Sequence, residues 1–353
     1  MSLVYILLAI LLLGILIAIH EYGHFIAARM TGIAVKEFSV GFGPKILQWK
    51  SKKYDTIFSI RPIPMGGYCM FYGDTDDDPD GEKADDPRNY NNAAVWKRAL
   101  SVISGPLMNF VLAFAVAVVL LAFYGLTLTQ PYVTEVDEGM PAAMAGIMPG
   151  DIFLQIGDLV LTEGDAVGVS ESIGAGQAGL EVSVVVERNG ENITLQVTPV
   201  LDMDTQMVRI GIMLSAVRSL QVNEVIPAAW NSCVYASGAI LNALGKLIST
   251  GEGLDNAAGP VGMVQMVAQE TQDGGLEIFL NLMVLISINL GLVNLLPIPG
   301  LDGSRIVFFL IEAVRRKPVS QQVEGRIHMM GYMLLISVML FFTFRDVGRI
   351  FGS

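Results

Sequence analysis

The stretch His20-Glu21-Tyr22-Gly23-His24 combines residue types that can bind a metal ion and move a proton. On a helix its two histidines are one turn apart, so both imidazoles leave the same face and can bind one ion. Glu21 lies about 100° round the helix from His20, close enough to act on a metal-bound water without being a ligand. Because a catalytic zinc takes about three protein ligands, we expect a third ligand elsewhere in the chain.

This motif lies within an apolar run that is long enough to cross a bilayer. Residues 3–19 carry no charge, and residues 25–28 continue the run. Ionisable groups inside a membrane span are costly and are kept mainly where they have a function. The position of the motif therefore favours a metal site over a pair of structural histidines.

Composition indicates an integral membrane protein with a soluble portion. The 353 residues are 52% hydrophobic and 16% charged, and the mean hydropathy is +0.54. The net charge of -12 argues against a nucleic-acid partner. Cys69 and Cys233 provide neither a disulfide framework nor a Cys-x-x-Cys zinc pattern. The first apolar run is too long for a cleavable signal peptide and lacks a basic region before it.

Hydropathy predicts a polytopic α-helical membrane protein with about four transmembrane helices. The predicted spans are about residues 3–28, 100–124, 278–296 and 331–344. Residues 227–249 are moderately apolar but contain Asn231, Asn242 and Lys246, so they either span weakly or lie on the membrane surface. In the second span, Asn109 is an amide that needs a partner in lipid.

The segment between the first two spans is too polar to cross the membrane. Residues 57–72 alternate apolar side chains with Pro and Gly, which predicts a membrane-associated β-hairpin with an edge that cannot propagate. Such an edge either accepts an extended substrate as a further strand or belongs to an ordinary surface hairpin.

Residues 74–86 are acidic and resemble the start of a calcium-binding loop. Pro87 stands where the closing glutamate is needed, which favours a solvated loop.

Residues 130–200 change character and predict a small, inserted β-rich domain. Residues 181–197 predict two strands joined by an Asn189-Gly190 turn. The third span then runs into residues 294–303, where two Pro and two Gly must end the helix, and Asp302 stands at that break.

The distribution of basic residues predicts the topology. Ten Lys or Arg lie between Lys36 and Arg98 and five between Arg305 and Arg326, whereas residues 125–225 contain three. The positive-inside rule then makes the first and last connections cytoplasmic. The first and third spans both run from outside to inside. We therefore expect His20, His24 and Asp302 at one face of the membrane, provided that residues 227–249 do not cross it.

Several motifs, spread over nearly the whole chain, resemble those of the site-2 proteases, a family of intramembrane zinc metalloproteases. The likeness is greatest to bacterial members of the regulator-of-sigma-E protease type, which process anti-sigma factors and signal-peptide remnants. The matching stretches are His20-Glu21-Tyr22-Gly23-His24, Gly41-Phe42-Gly43-Pro44, Pro64-Met65-Gly66-Gly67-Tyr68, Ser104-Gly105-Pro106-Leu107-Met108-Asn109, Gly259-Pro260-Val261-Gly262 and the run from Asn294 to Gly303. Residues 141–151 also resemble a PDZ domain. There is room for one such domain, whereas some relatives carry two.

This resemblance implies roles for particular residues. His20, His24 and Asp302 would bind Zn²⁺, and Glu21 would take a proton from water and pass it to the leaving amine. Asn294 would hold the substrate backbone or the tetrahedral intermediate, unless it merely caps the broken helix. The opened substrate would be received by the predicted hairpin or by the loop at Gly259-Pro260.

The resemblance also implies a location and a domain plan. The protein would lie in the bacterial cytoplasmic (inner) membrane, with its active site towards the cytoplasm and its PDZ-like domain outside. Its substrates would be single-span membrane proteins that enter as extended strands. The expected domains are a membrane part (1–128), a PDZ-like domain (129–200), a linker with an interfacial helix (201–275) and a second membrane part (276–353).

Two other functions could place His and Asp in membrane spans or retain this fold. A metal-ion carrier should show a polar path across the bilayer and internal repeats, and the sequence has neither. A catalytically idle scaffold that binds partners through its PDZ-like domain would usually lose Glu21 or a ligand, and all are present.

Overall fold

The chain forms two compact units, Met1–Val119 with Ala229–Ser353, and Leu120–Ala228. The computed structural model describes residues 2–53, 55–73, 86–161, 169, 173, 178–202, 207–253 and 258–351. The predicted acidic loop lies outside these residues, apart from Asp86.

Among the described residues, four helices are long and apolar enough to cross a membrane, as the sequence predicts. They are α1 (Leu3–Thr31), α2 (Val95–Tyr124), α5 (Pro260–Asn294) and α7 (Gln321–Phe351). At about 1.5 Å per residue each exceeds the hydrocarbon thickness of a bilayer. The chain is therefore a multi-pass membrane protein.

Helices α1 and α5 share a buried apolar core. Leu12 and Leu16 of α1 are almost fully buried and cluster with Val267 and Met283 of α5. Between those two α5 residues, Gly275 has φ 66° and ψ -151°, so the helix is kinked there. A residue with a side chain rarely adopts this backbone conformation, which explains the glycine at the kink.

Two further helices flank the membrane spans in the sequence. Helix α4 (Val222–Thr250) covers the weakly apolar segment and is not among the four apolar helices of the described chain. Its interfacial position stays a prediction. Helix α6 (Asp302–Arg315) begins directly after the Pro-rich break that follows α5.

A four-stranded sheet occupies the segment between α1 and α2. Its strand order is β2-β3-β1-β4. The strands are β1 (Val35–Phe42), β2 (Leu47–Lys50), β3 (Ile57–Ile60) and β4 (Ile63–Phe71). A short 3₁₀ helix, Tyr90–Asn92, follows before α2. The two edges of the sheet are β2 and β4.

The prediction of a hairpin over residues 57–72 is wrong, because β1 lies between β3 and β4. Strand β3 pairs parallel with β1, and β4 pairs antiparallel with its other side. The connection is held at the end of β1, since the Arg61 N–H donates to the Val40 carbonyl at 3.0 Å and its guanidinium donates to the Gly43 carbonyl at 2.7 Å. Nonlocal pairing with β1 therefore replaces the local turn.

The buried carboxylate of Glu37 accepts hydrogen bonds within this sheet. Glu37 of β1 accepts hydrogen bonds from Ser59 (2.7 Å) and Arg61 (3.1 Å), and Lys45 lies 3.4 Å away. Burial acts to raise the pKa of Glu37, but these hydrogen bonds, one with Tyr68 and the charge of Lys45 outweigh it, so its pKa is lowered. Glu37 therefore links β1 to its two neighbouring strands, β3 through Ser59 and β4 through Tyr68.

The second unit contains an antiparallel sheet of order β12-β5-β6-β8-β9, with β7 beside β6. The elements of this unit are β5 (Leu126–Val136), α3 (Pro141–Ala145), β6 (Ile152–Ile156), β7 (Leu159–Val160), β8 (Val182–Arg188), β9 (Glu191–Val197), β10 (Val200–Leu201), β11 (Val208–Arg209) and β12 (Ile212–Arg218). The predicted Asn-Gly hairpin is confirmed. Asn189 and Gly190 both have positive φ between β8 and β9, as the tight turn requires.

An ion pair holds the turn before β6. The guanidinium of Arg188 donates to both carboxylate oxygens of Asp151 at 2.7 and 2.8 Å, and to the Gly146 carbonyl. The hydrogen bond to Asp151 raises the pKa of Arg188. The compact unit extends over 120–228, beyond the predicted range of 129–200, because β5 and β12 pair with each other.

The Gly259-Pro260-Val261-Gly262 motif is the start of a helix and not the predicted loop. Pro260 is the first residue of α5, and the buried carboxylate of Asp346 on α7 accepts a hydrogen bond from the Gly262 N–H at 2.8 Å. A Cβ at Gly259 or Gly262 would lie within 2.9 Å of that carboxylate. The glycines therefore let an acidic side chain from another span cap α5.

Replacing Asp346 should destabilise the protein through loss of this cap. We expect Asp346→Ala to cost about 1 kcal/mol, the typical cost of losing a helix cap, and Asp346→Asn to cost less because it keeps an acceptor. The measurement is the thermal unfolding midpoint of the purified protein in detergent. Asp273→Ala, at an exposed residue of α5, is the control. A midpoint for Asp346→Ala equal to that of the control would contradict the capping role.

Candidate active site

The three polar residues of the motif are buried within the apolar helix α1. His20, Glu21 and His24 are each exposed by less than a tenth. The two imidazole rings stand edge to face with centroids 4.9 Å apart, and their Nε2 atoms are 3.2 Å apart. One helical turn thus brings both ring nitrogens to one point.

Asp302 is carried to the same point by the break between α5 and α6. Its Oδ2 lies 3.1 Å from Nε2 of His20 and 3.3 Å from Nε2 of His24. The turn is tight, because a Cβ at Gly303 would overlap the carbonyls of Leu295 and Leu296. The predicted meeting of the histidine pair with Asp302 is what the structure shows.

The residues at this point fit a zinc ion. Ligand atoms of His20, His24 and Asp302 lie within 4.8 Å of one another. Oδ2 of Asp302 is buried and has no hydrogen-bond partner among the described residues, although it faces both rings. A cation would satisfy this oxygen, and two imidazoles with one carboxylate are a donor set that zinc prefers.

Helix α2 provides the hydrogen-bond partner of Nδ1 of His24. Nδ1 of His24 lies 2.9 Å from the Ser101 carbonyl, which can only accept, so Nδ1 carries the proton and Nε2 keeps a free lone pair. A Cβ at Gly105 would overlap the His24 ring, and one at Gly23 would overlap the Ser104 carbonyl. Two glycines therefore permit the close approach of α1 and α2.

His20 has a different partner on α2, the side-chain amide of Asn109. The amide nitrogen lies 3.1 Å from Nδ1 of His20. The Ser287 hydroxyl of α5 donates to the backbone carbonyl of Asn109 at 2.8 Å. The position of Asn109 in an apolar span predicts an amide that needs a partner, but no sequence spacing identifies His20 as that partner.

Strand β4 lies against Glu21. The backbone amide of Cys69 hydrogen-bonds the Glu21 carboxylate. A Cβ at Gly67 would lie 2.9 Å from Cγ of Glu21. The glycine in β4 thus leaves room for the acidic side chain beside the sheet edge.

These groups open into one cavity of about 350 Å³. Its wall includes His20, Glu21, His24, Asp302, Asn294 and residues 67–71 of β4. Arg305, His328 and Tyr332 also line it. His328 is a single histidine at the start of a span, so no spacing signal in the sequence points to it as a cavity residue. The arrangement is that of a metal-dependent hydrolase within membrane helices.

Comparison with known proteins also indicates a metal-dependent hydrolase. The family model for peptidase family M50 matches residues 8–338. The chain is 32% identical to a protein of Agrobacterium fabrum, over 99% of this chain and 97% of that one. It is 29% identical to the zinc metalloprotease RasP of Oceanobacillus iheyensis and 29% identical to the regulator of sigma-W protease RasP of Bacillus subtilis, in each case over 97% of this chain and 98% of the relative.

The chain belongs to peptidase family M50, the site-2 proteases, and is an intramembrane zinc metalloprotease. Among solved structures, the PDZ domain of an SdrC-like protein from Listeria monocytogenes is similar to 25% of this chain. That match covers 90% of the PDZ domain, with 21% identity and a TM-score of 0.22.

Filling the space at Gly105 should weaken the metal site. The added methyl group of Gly105→Ala would have to displace the His24 ring, so we expect the zinc dissociation constant to rise at least about tenfold. The measurement is competition with a chelator on the folded protein in detergent. Gly14→Ala on α1 is the control, because a Cβ there meets nothing within 4 Å. Equal affinities of the two variants would contradict the close approach.

Proposed function

We propose that His20, His24 and Asp302 hold the zinc ion and that Glu21 is the general base and acid of peptide-bond hydrolysis. The observation that carries the proposal is the convergence of three ligand atoms beside a buried carboxylate that is not one of them. Bound zinc supplies Lewis-acid chemistry at the scissile carbonyl. Glu21 accepts a proton from the attacking water and delivers it to the leaving amide nitrogen.

The surrounding groups position these reactants. The Cys69 amide holds the Glu21 carboxylate, and the Glu21 side chain is itself buried. Asn294, which lines the cavity at the end of α5, donates a hydrogen bond to the substrate backbone or to the oxyanion. Its place in the wall of the cavity that Asp302 also lines supports this role over simple helix capping.

The substrate is proposed to bind as an extended strand along β4. A peptide bond in a transmembrane helix is shielded by helical hydrogen bonds, so the helix must open before cleavage. Strand β4 is an edge of its sheet, and residues 67–71 line the cavity. Its backbone therefore offers pairing groups at the place where the bond is cut. Pro64 in β4 lacks an N–H and limits how far such pairing extends.

The proposed substrates are membrane proteins with a single span, such as anti-sigma factors or signal-peptide remnants. One relative that aligns over nearly the whole chain is named a regulator of sigma-W protease. The cavity lies among the apolar helices, where a membrane segment can reach it. The substrate class rests on these two observations.

The proposed location is the bacterial cytoplasmic membrane, with the cavity towards the cytoplasm. Lys and Arg are concentrated in the connections between α1 and α2 and between α5 and α7. The unit of residues 120–228 is then extracytoplasmic. Its antiparallel sheet and the motif ending at Asp151 support a PDZ-like domain that controls substrate access by size or by tail recognition.

Replacing Glu21 should separate metal binding from catalysis. We expect Glu21→Gln to abolish cleavage of a transmembrane substrate while zinc stays bound, because the amide cannot accept the proton. Asp302→Ala and His20→Ala should lose zinc, which is measured as metal content after purification. Cleavage by Glu21→Gln at the wild-type rate would refute the role of Glu21. Full zinc content in both Asp302→Ala and His20→Ala would refute the proposed ligands.

Cross-linking can test the strand position of the substrate. A photo-crosslinking residue at Met70 of β4, in the Glu21→Gln background, should capture a bound transmembrane substrate because Met70 lines the cavity. The same residue at Gln48 should capture little, since β2 is the opposite edge of the sheet. Equal capture at both positions would exclude β4 as the substrate edge.

A further inference from the structure

We propose that Asn109 is a positioning residue that selects the tautomer of His20 and holds its Nε2 towards the metal. This inference rests on the proposed function, because it assumes that His20 is a ligand through Nε2. Asn109 lies on α2, is fully buried and contacts Nδ1 of His20 through its side-chain amide at 3.1 Å.

The chemistry of the imidazole sets what Asn109 must do. A neutral histidine carries one N–H, so a ring that offers the lone pair of Nε2 to a metal must carry its proton on Nδ1. The group facing Nδ1 must then accept a hydrogen bond. Nε2 of His20 lies 3.1 Å from Oδ2 of Asp302, which makes Nε2 the atom directed at the metal site. The oxygen of Asn109 is therefore required at Nδ1.

A side-chain amide can meet this requirement by turning about its last bond. Oxygen and nitrogen then exchange places at nearly the same positions. With the nitrogen against Nδ1, Oδ1 of Asn109 has no hydrogen-bond partner among the described residues. With the oxygen against Nδ1, the amide nitrogen takes the place that has no hydrogen-bond partner among the described residues. One amide atom is unpaired in either orientation, so the proton on His20 decides between them.

The two ligand histidines therefore differ in how their tautomers are fixed. Nδ1 of His24 faces the backbone carbonyl of Ser101, an acceptor in every state of the protein. Nδ1 of His20 faces a side chain that can either donate or accept. The Ser287 hydroxyl holds the backbone of Asn109 in place, so only the amide needs to turn. Substitution at residue 109 thus tests the acceptor directly.

The experiment measures zinc affinity in two variants that differ in the acceptor. Leu at position 109 has nearly the same size and no acceptor, and Asp has an oxygen at both positions. We expect Asn109→Leu to raise the zinc dissociation constant about 10- to 100-fold, as loss of an orienting partner does, and Asn109→Asp to match or improve on the wild type. Chelator competition on the purified full-length protein gives the constants.

The control is Asn281→Leu, which removes an exposed amide from the apolar helix α5 and should leave affinity unchanged. Wild-type affinity in Asn109→Leu would overturn the inference. So would affinity in Asn109→Asp no better than in Asn109→Leu, since that result would show a packing role only. His20→Ala is measured in parallel. Retained zinc in His20→Ala would refute the proposed ligand set, whereas its loss with an unaffected Asn109→Leu would refute the role of Asn109 alone.

Discussion

The structure depends on the close approach of one carboxylate to two imidazoles inside a bundle of apolar helices. Each of these groups is expensive to remove from water by itself, and Oδ2 of Asp302 has no hydrogen-bond donor among the residues that the structure describes. A cation bound by all three groups would remove that imbalance. Zinc bound in the proposed way would therefore couple metal binding to the folding of the helix bundle.

Bringing these groups together requires backbones to come unusually close. Gly105 and Gly23 let α2 lie against the histidine face of α1, and Gly67 lets β4 lie against Glu21. Small residues serve this purpose in membranes, where helix association relies on packing and not on the hydrophobic effect. These glycines thus leave room for the buried polar side chains of the site.

The broken helix and the sheet edge both line the cavity of the site. The end of α5 at Asn294 and the start of α6 at Asp302 leave irregular backbone that faces a cavity, as non-helical chain at membrane depth requires. On the other side, β4 supplies an edge with backbone groups. Under the proposed function, a substrate segment that opens between these walls would exchange its helical hydrogen bonds for strand pairing with β4.

Features that depend on neighbouring residues follow from the local sequence. One helical turn fixes the spacing of His20 and His24, apolar length gives the four spans, and Asn189-Gly190 gives its hairpin. The meeting of Asp302 with the histidine pair was also expected from the sequence, because the break at Asp302 follows a span that is predicted to run in the same direction as α1. Only the tertiary structure decided the insertion of β1 between β3 and β4, the contact of Asn109 with His20 and the capping of α5 by Asp346. These contacts join residues far apart in the chain, and their pairing is selected by the packing of the whole bundle, which no local period encodes.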